Sequence, residues 1–122
     1  MRYFSGLRNG YGIPLASDGW GSFTYFIEID DQYATRQVNQ YENGIVVRYN
    51  RVHWCDDFGM MFVGRFSRKD KAGRNMTPLT ATDFNRIWND SLPSPIWLEQ
   101  TSRSREEVWG TWAERVGTLY GH

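Results

Sequence analysis

His53-Trp54-Cys55-Asp56-Asp57 sets an imidazole, a thiol and two carboxylates within five consecutive residues. These are side-chain types that hold transition-metal ions, and a site built on His53, Asp56 and Asp57 would make the protein a metal-dependent hydrolase. The spacing argues against it. Three ligands from so short a span are hard to converge on one ion, and the only other histidine is the terminal His122. Zinc sites draw on two separated ligand pairs, and no second pair exists here, so no cofactor or metal is expected. A Cys55–His53 nucleophile pair is also disfavoured, because the base and thiol sit too close in sequence for the usual geometry. The competing expectation is structural: Cys55 is buried and the aspartates cap a turn.

Two further groups of residues could carry function. Glu28, Asp30, Asp31, Asp56 and Asp57 would supply hard oxygen ligands for Mg²⁺ or Ca²⁺ if the ends of their segments met; otherwise they are solvated turn acids. The stretch from Arg65 to Arg74 holds five basic residues and one acid, with Phe66 interleaved. Cations beside an aromatic are what single-stranded nucleic acid binders use, but the same charge run suits docking on an acidic protein surface.

Composition narrows the choice. The chain has 122 residues, enough for one domain with one modest core. It carries 14 Lys plus Arg against 14 Asp plus Glu. Nucleic-acid binders depend on neutralising phosphates and show a basic excess, so nucleic acid is not the expected partner. Zero net charge gives little colloidal repulsion and leaves a homodimer open. Six Trp are many for this length, and large aromatics serve both small cores and interfaces. A single cysteine fits a reducing compartment. The start MRYFSGLRNGYG lacks the apolar run of a signal peptide, and no run approaches a membrane span. The expectation is a soluble, cytoplasmic protein with no membrane partner.

The elements that must position these residues follow from local pattern. Residues 1–22 contain five glycines and one proline and read as a loop-rich lead-in, with aromatics that pack it onto the domain. Phe23 to Ile29 reads as a strand and Asp30-Asp31-Gln32 as a turn. Asn43-Gly44 predicts a two-residue hairpin between strands over 33–42 and 45–54. That register sets Val38 opposite Tyr49 and puts Ala34, Val38, Ile45, Val47 and Tyr49 on one face. Residues 58–66 are apolar enough for a fourth strand, with glycine bends. Thr80 to Asp83 opens a short helix with Phe84, Ile87 and Trp88 on one face. Ser104 to Glu107 is a capping box ahead of an apolar stripe running from Val108 and Trp109 through Trp112 to Tyr120.

The set IEIDD, Arg36-Gln37-Val38, Tyr41-Glu42-Asn43-Gly44, Arg48-Tyr49, Asp57-Phe58-Gly59-Met60 and Asp83-Phe84-x-x-Ile87-Trp88 resembles a family of small bacterial domains of unknown function. The likeness covers residues 24–89. It implies an antiparallel sheet with a helix. Some members are encoded near toxin systems, which implies an immunity-type role. The family has no established catalytic residues, so none are carried over.

The expected fold is α+β: an antiparallel β-sheet of about four strands with two helices packed on one face. The expected organisation is a single domain over 1–122, with a lead-in over 1–22, a sheet and short helix over 23–89, and an amphipathic helix over 96–122. The expected core holds Phe26, Val38, Val47, Tyr49, Phe62, Phe84, Ile87, Trp88, Trp109 and Trp112. The expected function is a non-enzymatic protein-binding module, immunity-like or regulatory. Arg68, Lys69, Lys71 and Arg74 would meet the partner, with Trp97 as an exposed anchor, because Arg and Trp dominate interface energetics. Alternatives are a small nucleic-acid-binding domain using residues 65–74, and the hydrolase on His53, Asp56 and Asp57.

Overall fold

The computed structural model describes residues 1–11, 15, 17–56, 58–64, 66, 76–91 and 111–115. Arg68, Lys69, Lys71, Arg74, Trp97 and Trp109, and Asp57 of the metal candidate, lie outside the described residues. Five strands, β1 (Arg2–Arg8), β2 (Phe23–Ile29), β3 (Ala34–Tyr41), β4 (Val46–Asn50) and β5 (Met76–Pro78), form one sheet in the order β4-β3-β2-β1-β5. Every pairing is antiparallel. One helix, α1 (Ala81–Asp90), follows β5, and a second helical segment covers 112–115. The class is α+β.

The strands are not all those read from the pattern. The lead-in supplies β1, whose glycine content hides a strand. Gly6 stands opposite Tyr25, and a Cβ there would run into the Tyr25 ring. Among the described residues of 58–66, a segment read as a strand, none joins a ladder. They contribute one isolated bridge, Cys55 to Met60. Their amides find other partners: Phe58 and Gly59 donate to Asp56, Phe62 donates to Gln37 Oε1, and Phe66 donates to the Gln32 carbonyl. A segment whose backbone groups are satisfied this way can cross a sheet face without extending the sheet.

The hairpin between β3 and β4 closes on three residues rather than two. Gly44 N–H donates to the Tyr41 carbonyl at 2.9 Å, and Tyr41 N–H donates to Ile45 at 2.9 Å. Gly44 takes φ of 89°. This is a turn followed by a left-handed glycine, the usual three-residue loop. Val38 therefore stands opposite Arg48, and Gln37 opposite Tyr49. A bulge near Glu28 and Ile29 further separates Ala34 from Val38 in parity. A one-residue shift turns side chains to the other face, so Val38 lies on one face while Ala34, Val47 and Tyr49 lie on the other.

The larger core sits on the Tyr49 face. Phe4, Phe23, Ile27, Ile29, Tyr41, Val47 and Tyr49 meet Trp54, Cys55, Phe58, Met61 and Phe66, which arrive from the chain after β4. Trp20 stacks on Phe58 at 5.2 Å and meets Tyr41 edge-on at 5.1 Å. Burying each such aromatic contributes roughly 1.5–3 kcal/mol. Trp112 packs against this cluster, edge-on to Tyr33 and under Arg51. Phe62, expected in the core, is 40% exposed. Its amide is held by Gln37, and its ring lies over Phe66 and Gly64 at the rim.

Helix α1 covers part of the opposite face. Thr80 Oγ1 accepts from Asp83 N–H and caps it. Phe84 is fully buried, touching Tyr3 at 5.3 Å and Trp88 at 6.4 Å. Arg36 rises from β3 between Phe84 and Trp88, and Arg48 Nε bonds the Ser91 carbonyl past the helix end. The helical segment at 112–115 has its own cap. Thr111 Oγ1 accepts from Glu114 N–H, and Glu114 Oε1 accepts from Thr111 N–H. That reciprocal box starts the segment at Trp112; the Ser104 to Glu107 capping box and the stripe on either side of 111–115 lie outside the described residues.

Candidate functional site

The residues with the strongest chemical potential in the sequence, His53 to Asp56, fold into the core face. Asn50 ends β4, and its Oδ1 accepts from Val52 N–H at 2.9 Å and His53 N–H at 2.8 Å. That Asx turn reverses the chain and lays the His53 ring parallel to Tyr49, at 5.8 Å and 2°. Trp54 and Cys55 then enter the core, and the chain turns again at Asp56, which is 0% exposed.

Asp56 organises this turn. Its Oδ1 accepts from Tyr49 O–H at 2.9 Å, Phe58 N–H at 2.8 Å and Gly59 N–H at 3.1 Å. Its Oδ2 lies 2.9 Å from His53 Nε2. Three donors saturate the first oxygen and the imidazole holds the second. Burial pushes the Tyr49 hydroxyl well above its ordinary range, with the Asp56 charge adding to it. Tyr49 therefore remains a donor. His53 is the outward member, with 15% of its side chain exposed.

Cys55 is fully buried in the aromatic cluster, so it packs as a small hydrophobe. It lies on an isolated bridge and His53 on a bend. Among the described residues, no group of three or more His, Cys, Asp or Glu is placed to hold a metal ion. The conditional oxygen-ligand site is not assembled among the described acids, and Asp57 lies outside the described residues. Glu28 faces α1, on the sheet side opposite Asp56. It accepts from Arg36 Nε at 2.9 Å, Arg36 Nη2 at 2.7 Å and Thr35 O–H at 2.6 Å. The Arg36 fork holds its carboxyl below the ordinary range against the opposing effect of burial. Asp30 caps the β2–β3 turn, accepting from Gln32 and Tyr33 N–H, and pairs with Arg51 at 2.7 Å. Burial raises the Asp30 carboxyl, but the Tyr33 and Gln32 amides and Arg51 together outweigh it and hold it low.

Sequence reasoning missed a buried polar chain on the same face. Phe62 N–H donates to Gln37, Gln37 Nε2 donates to Asn39 Oδ1 at 2.9 Å, Asn39 Nδ2 donates to Tyr11 Oη at 2.8 Å, and Tyr11 O–H donates to the Met60 carbonyl at 2.6 Å. Asn39 is fully buried. This chain pins both the lead-in and the crossing segment to β3. Its only signal in the sequence was Gln37 and Asn39 alternating with Val38, which the wrong register turned outward.

Beside Tyr11, the lead-in and the β3 end line an open cleft of about 400 Å³, bordered by Asn9, Gly10, Asp18, Gly21, Tyr41 and Glu42 among others. Exposed apolar side chains lie elsewhere: Leu7 at 65% on β1 and Val52 at 72% after β4. No family model, no curated protein and no solved structure matches this chain.

Proposed function

We propose that the chain is a non-enzymatic protein-binding module, of immunity-like or regulatory type, working in the bacterial cytoplasm. The observation that carries this reading is the condition of the buried acids. Asp56 accepts three donors on one oxygen and faces His53 with the other, and Glu28 is forked by Arg36 and bonded by Thr35. Side chains held this way serve the fold, leaving the surface to serve the function. Leu7, Val52 and Phe62 expose apolar area that a partner can cover. The motif set over residues 24–89 supports the immunity-type direction. No helix among the described residues is long and apolar enough to cross a membrane.

Arg68, Lys69, Lys71 and Arg74, with Trp97 as anchor, remain the proposed partner contacts. The test is affinity capture from the native lysate at low and high salt, run in parallel on the Lys69→Glu/Lys71→Glu variant. One stoichiometric protein, weakened in the variant, is the expected result. Nucleic acid released by salt would instead establish the second reading, since phosphate contacts are salt-sensitive. Stoichiometric metal by elemental analysis, with hydrolysis restored on metal addition, would establish the hydrolase reading.

A further inference from the structure

The chain holds the dipeptide Asn-Gly twice, at Asn9-Gly10 and Asn43-Gly44. We propose that Asn9 is a site of spontaneous backbone-assisted deamidation in the folded protein, and that the β3–β4 hairpin shields Asn43 from the same reaction.

In this reaction the amide nitrogen of the following glycine attacks the asparagine side-chain carbonyl carbon. A new C–N bond closes a five-membered succinimide, and the side-chain amide leaves as ammonia. Water then opens the ring at either carbonyl, giving aspartate or its β-linked isomer. Nothing beyond water is consumed. Glycine permits it because no Cβ obstructs the approach, and asparagine is among the thermally labile residues for this reason.

Both asparagines are exposed and both are followed by exposed glycines. They differ at the attacking nitrogen. Gly44 N–H donates to the Tyr41 carbonyl, Tyr41 N–H donates to the Ile45 carbonyl, and Ile45 N–H donates to Asn43 Oδ1 at 3.0 Å. Nucleophile and electrophile are thus each tied into the turn, and attack requires the hairpin to open. At the other pair, Gly10 N–H meets no acceptor among the described residues. Gly10 has φ of 151°, and its Cα faces open space. The Asn9 side-chain oxygen accepts from Ser22 O–H at 2.9 Å. That bond is equivalent to the one Asn43 Oδ1 accepts, so the two pairs differ at the nitrogen, which is held at Gly44 and, among the described residues, has no acceptor at Gly10.

The product matters where it forms. Asn9 lines the cleft that also presents Asp18 and Glu42. Conversion adds a carboxylate there and takes the chain's formal net charge from zero to minus one.

The test is peptide mapping by mass spectrometry of full-length protein aged in warm, mildly alkaline buffer, folded and in urea. In the folded sample Asn9 converts faster than Asn43 by about tenfold or more, because Asn43 reacts only from the opened hairpin. In urea the two rates converge. Equal rates in the folded sample would overturn the proposal, as would faster conversion at Asn43, or an Asn9 that converts only in urea. The Asn9→Gln variant checks the assignment: the early acidic species seen by ion exchange must disappear with it, and their persistence counts against Asn9.

Discussion

The Tyr49 hydroxyl donates to Asp56 Oδ1 at 2.9 Å, and both side chains are sealed from solvent, at 1% and 0% exposure. This bond joins the last residues of the sheet to the segment that roofs its aromatic face. Removing Asp56 takes this acceptor from the Tyr49 hydroxyl and from two backbone amides, whereas removing the hydroxyl leaves Asp56 Oδ1 its two amide donors; an unsatisfied buried group costs more than the net worth of one bond.

Asp56→Ala is accordingly expected to destabilise the protein by about 3 kcal/mol or more, since it strands Tyr49 and two backbone amides together. Tyr49→Phe, which removes a single donor and leaves Asp56 its two amides, should cost about 0.5–1.5 kcal/mol. Urea denaturation measures both. A loss for Asp56→Ala no larger than for Tyr49→Phe would mean that the turn re-forms without its cap.

Glu28 carries a pH dependence whose sign follows from its depressed carboxyl. Its folded-state pKa lies below the ordinary 4.5, chiefly through Arg36. The folded state therefore binds the proton less well than the unfolded chain. The contribution is complete above about 4.5 and is lost as pH falls through the lowered folded value. Asp30, held low by the Tyr33 and Gln32 amides and Arg51 against burial, acts with the same sign. Stability should drop as pH falls below about 4.5, and Glu28→Gln should flatten that slope. An unchanged slope in the variant would assign the acid sensitivity to other carboxylates.

Two glycines with similar backbone angles should respond differently to alanine. Gly44, at φ 89°, has open space where a Cβ would go, so Gly44→Ala meets backbone strain alone, about 1–2 kcal/mol. Gly21, also at φ 89°, would drive its Cβ into the Glu42 side chain as well. Gly21→Ala should be the more damaging, and Glu42→Ala should recover the excess in a double-mutant cycle. Equal thermal shifts for the two alanine variants would remove the Glu42 contact from the account.

Cys55 has no exposed surface and packs in the aromatic cluster. A thiol so placed reacts only when the surrounding structure opens. Alkylation by iodoacetamide should be slow in the folded protein and complete in denaturant. Rapid labelling of the folded protein would show that the crossing segment opens independently of the sheet.

Much of the local structure was legible in the chain. Phe23 to Ile29 as a strand, the Asp30 turn, the burial of Cys55, the turn at Asp56 and the Thr80-capped helix all rest on short-range rules. In each, a side-chain oxygen satisfies amides two or three residues away, or an apolar period marks one face. β1 was obscured because glycine there records a close approach to Tyr25 from another strand, which no local pattern encodes.

The amino-acid sequence by itself determined the α+β class, the hairpin's position at Asn43-Gly44, and the chemistry available at His53, Cys55 and Asp56. Tertiary structure decided how those side chains are used. One extra residue in the β3–β4 loop and one bulge between β2 and β3 exchanged the faces of Val38 and Tyr49 relative to the expected register. A strand has a side-chain period of two, so each single-residue offset inverts everything beyond it. That inversion turned Gln37 and Asn39 inward and set Tyr49 against Asp56. Local propensity is blind to such an offset, because both registers satisfy the same backbone hydrogen bonds, and only the packing of the buried face selects between them.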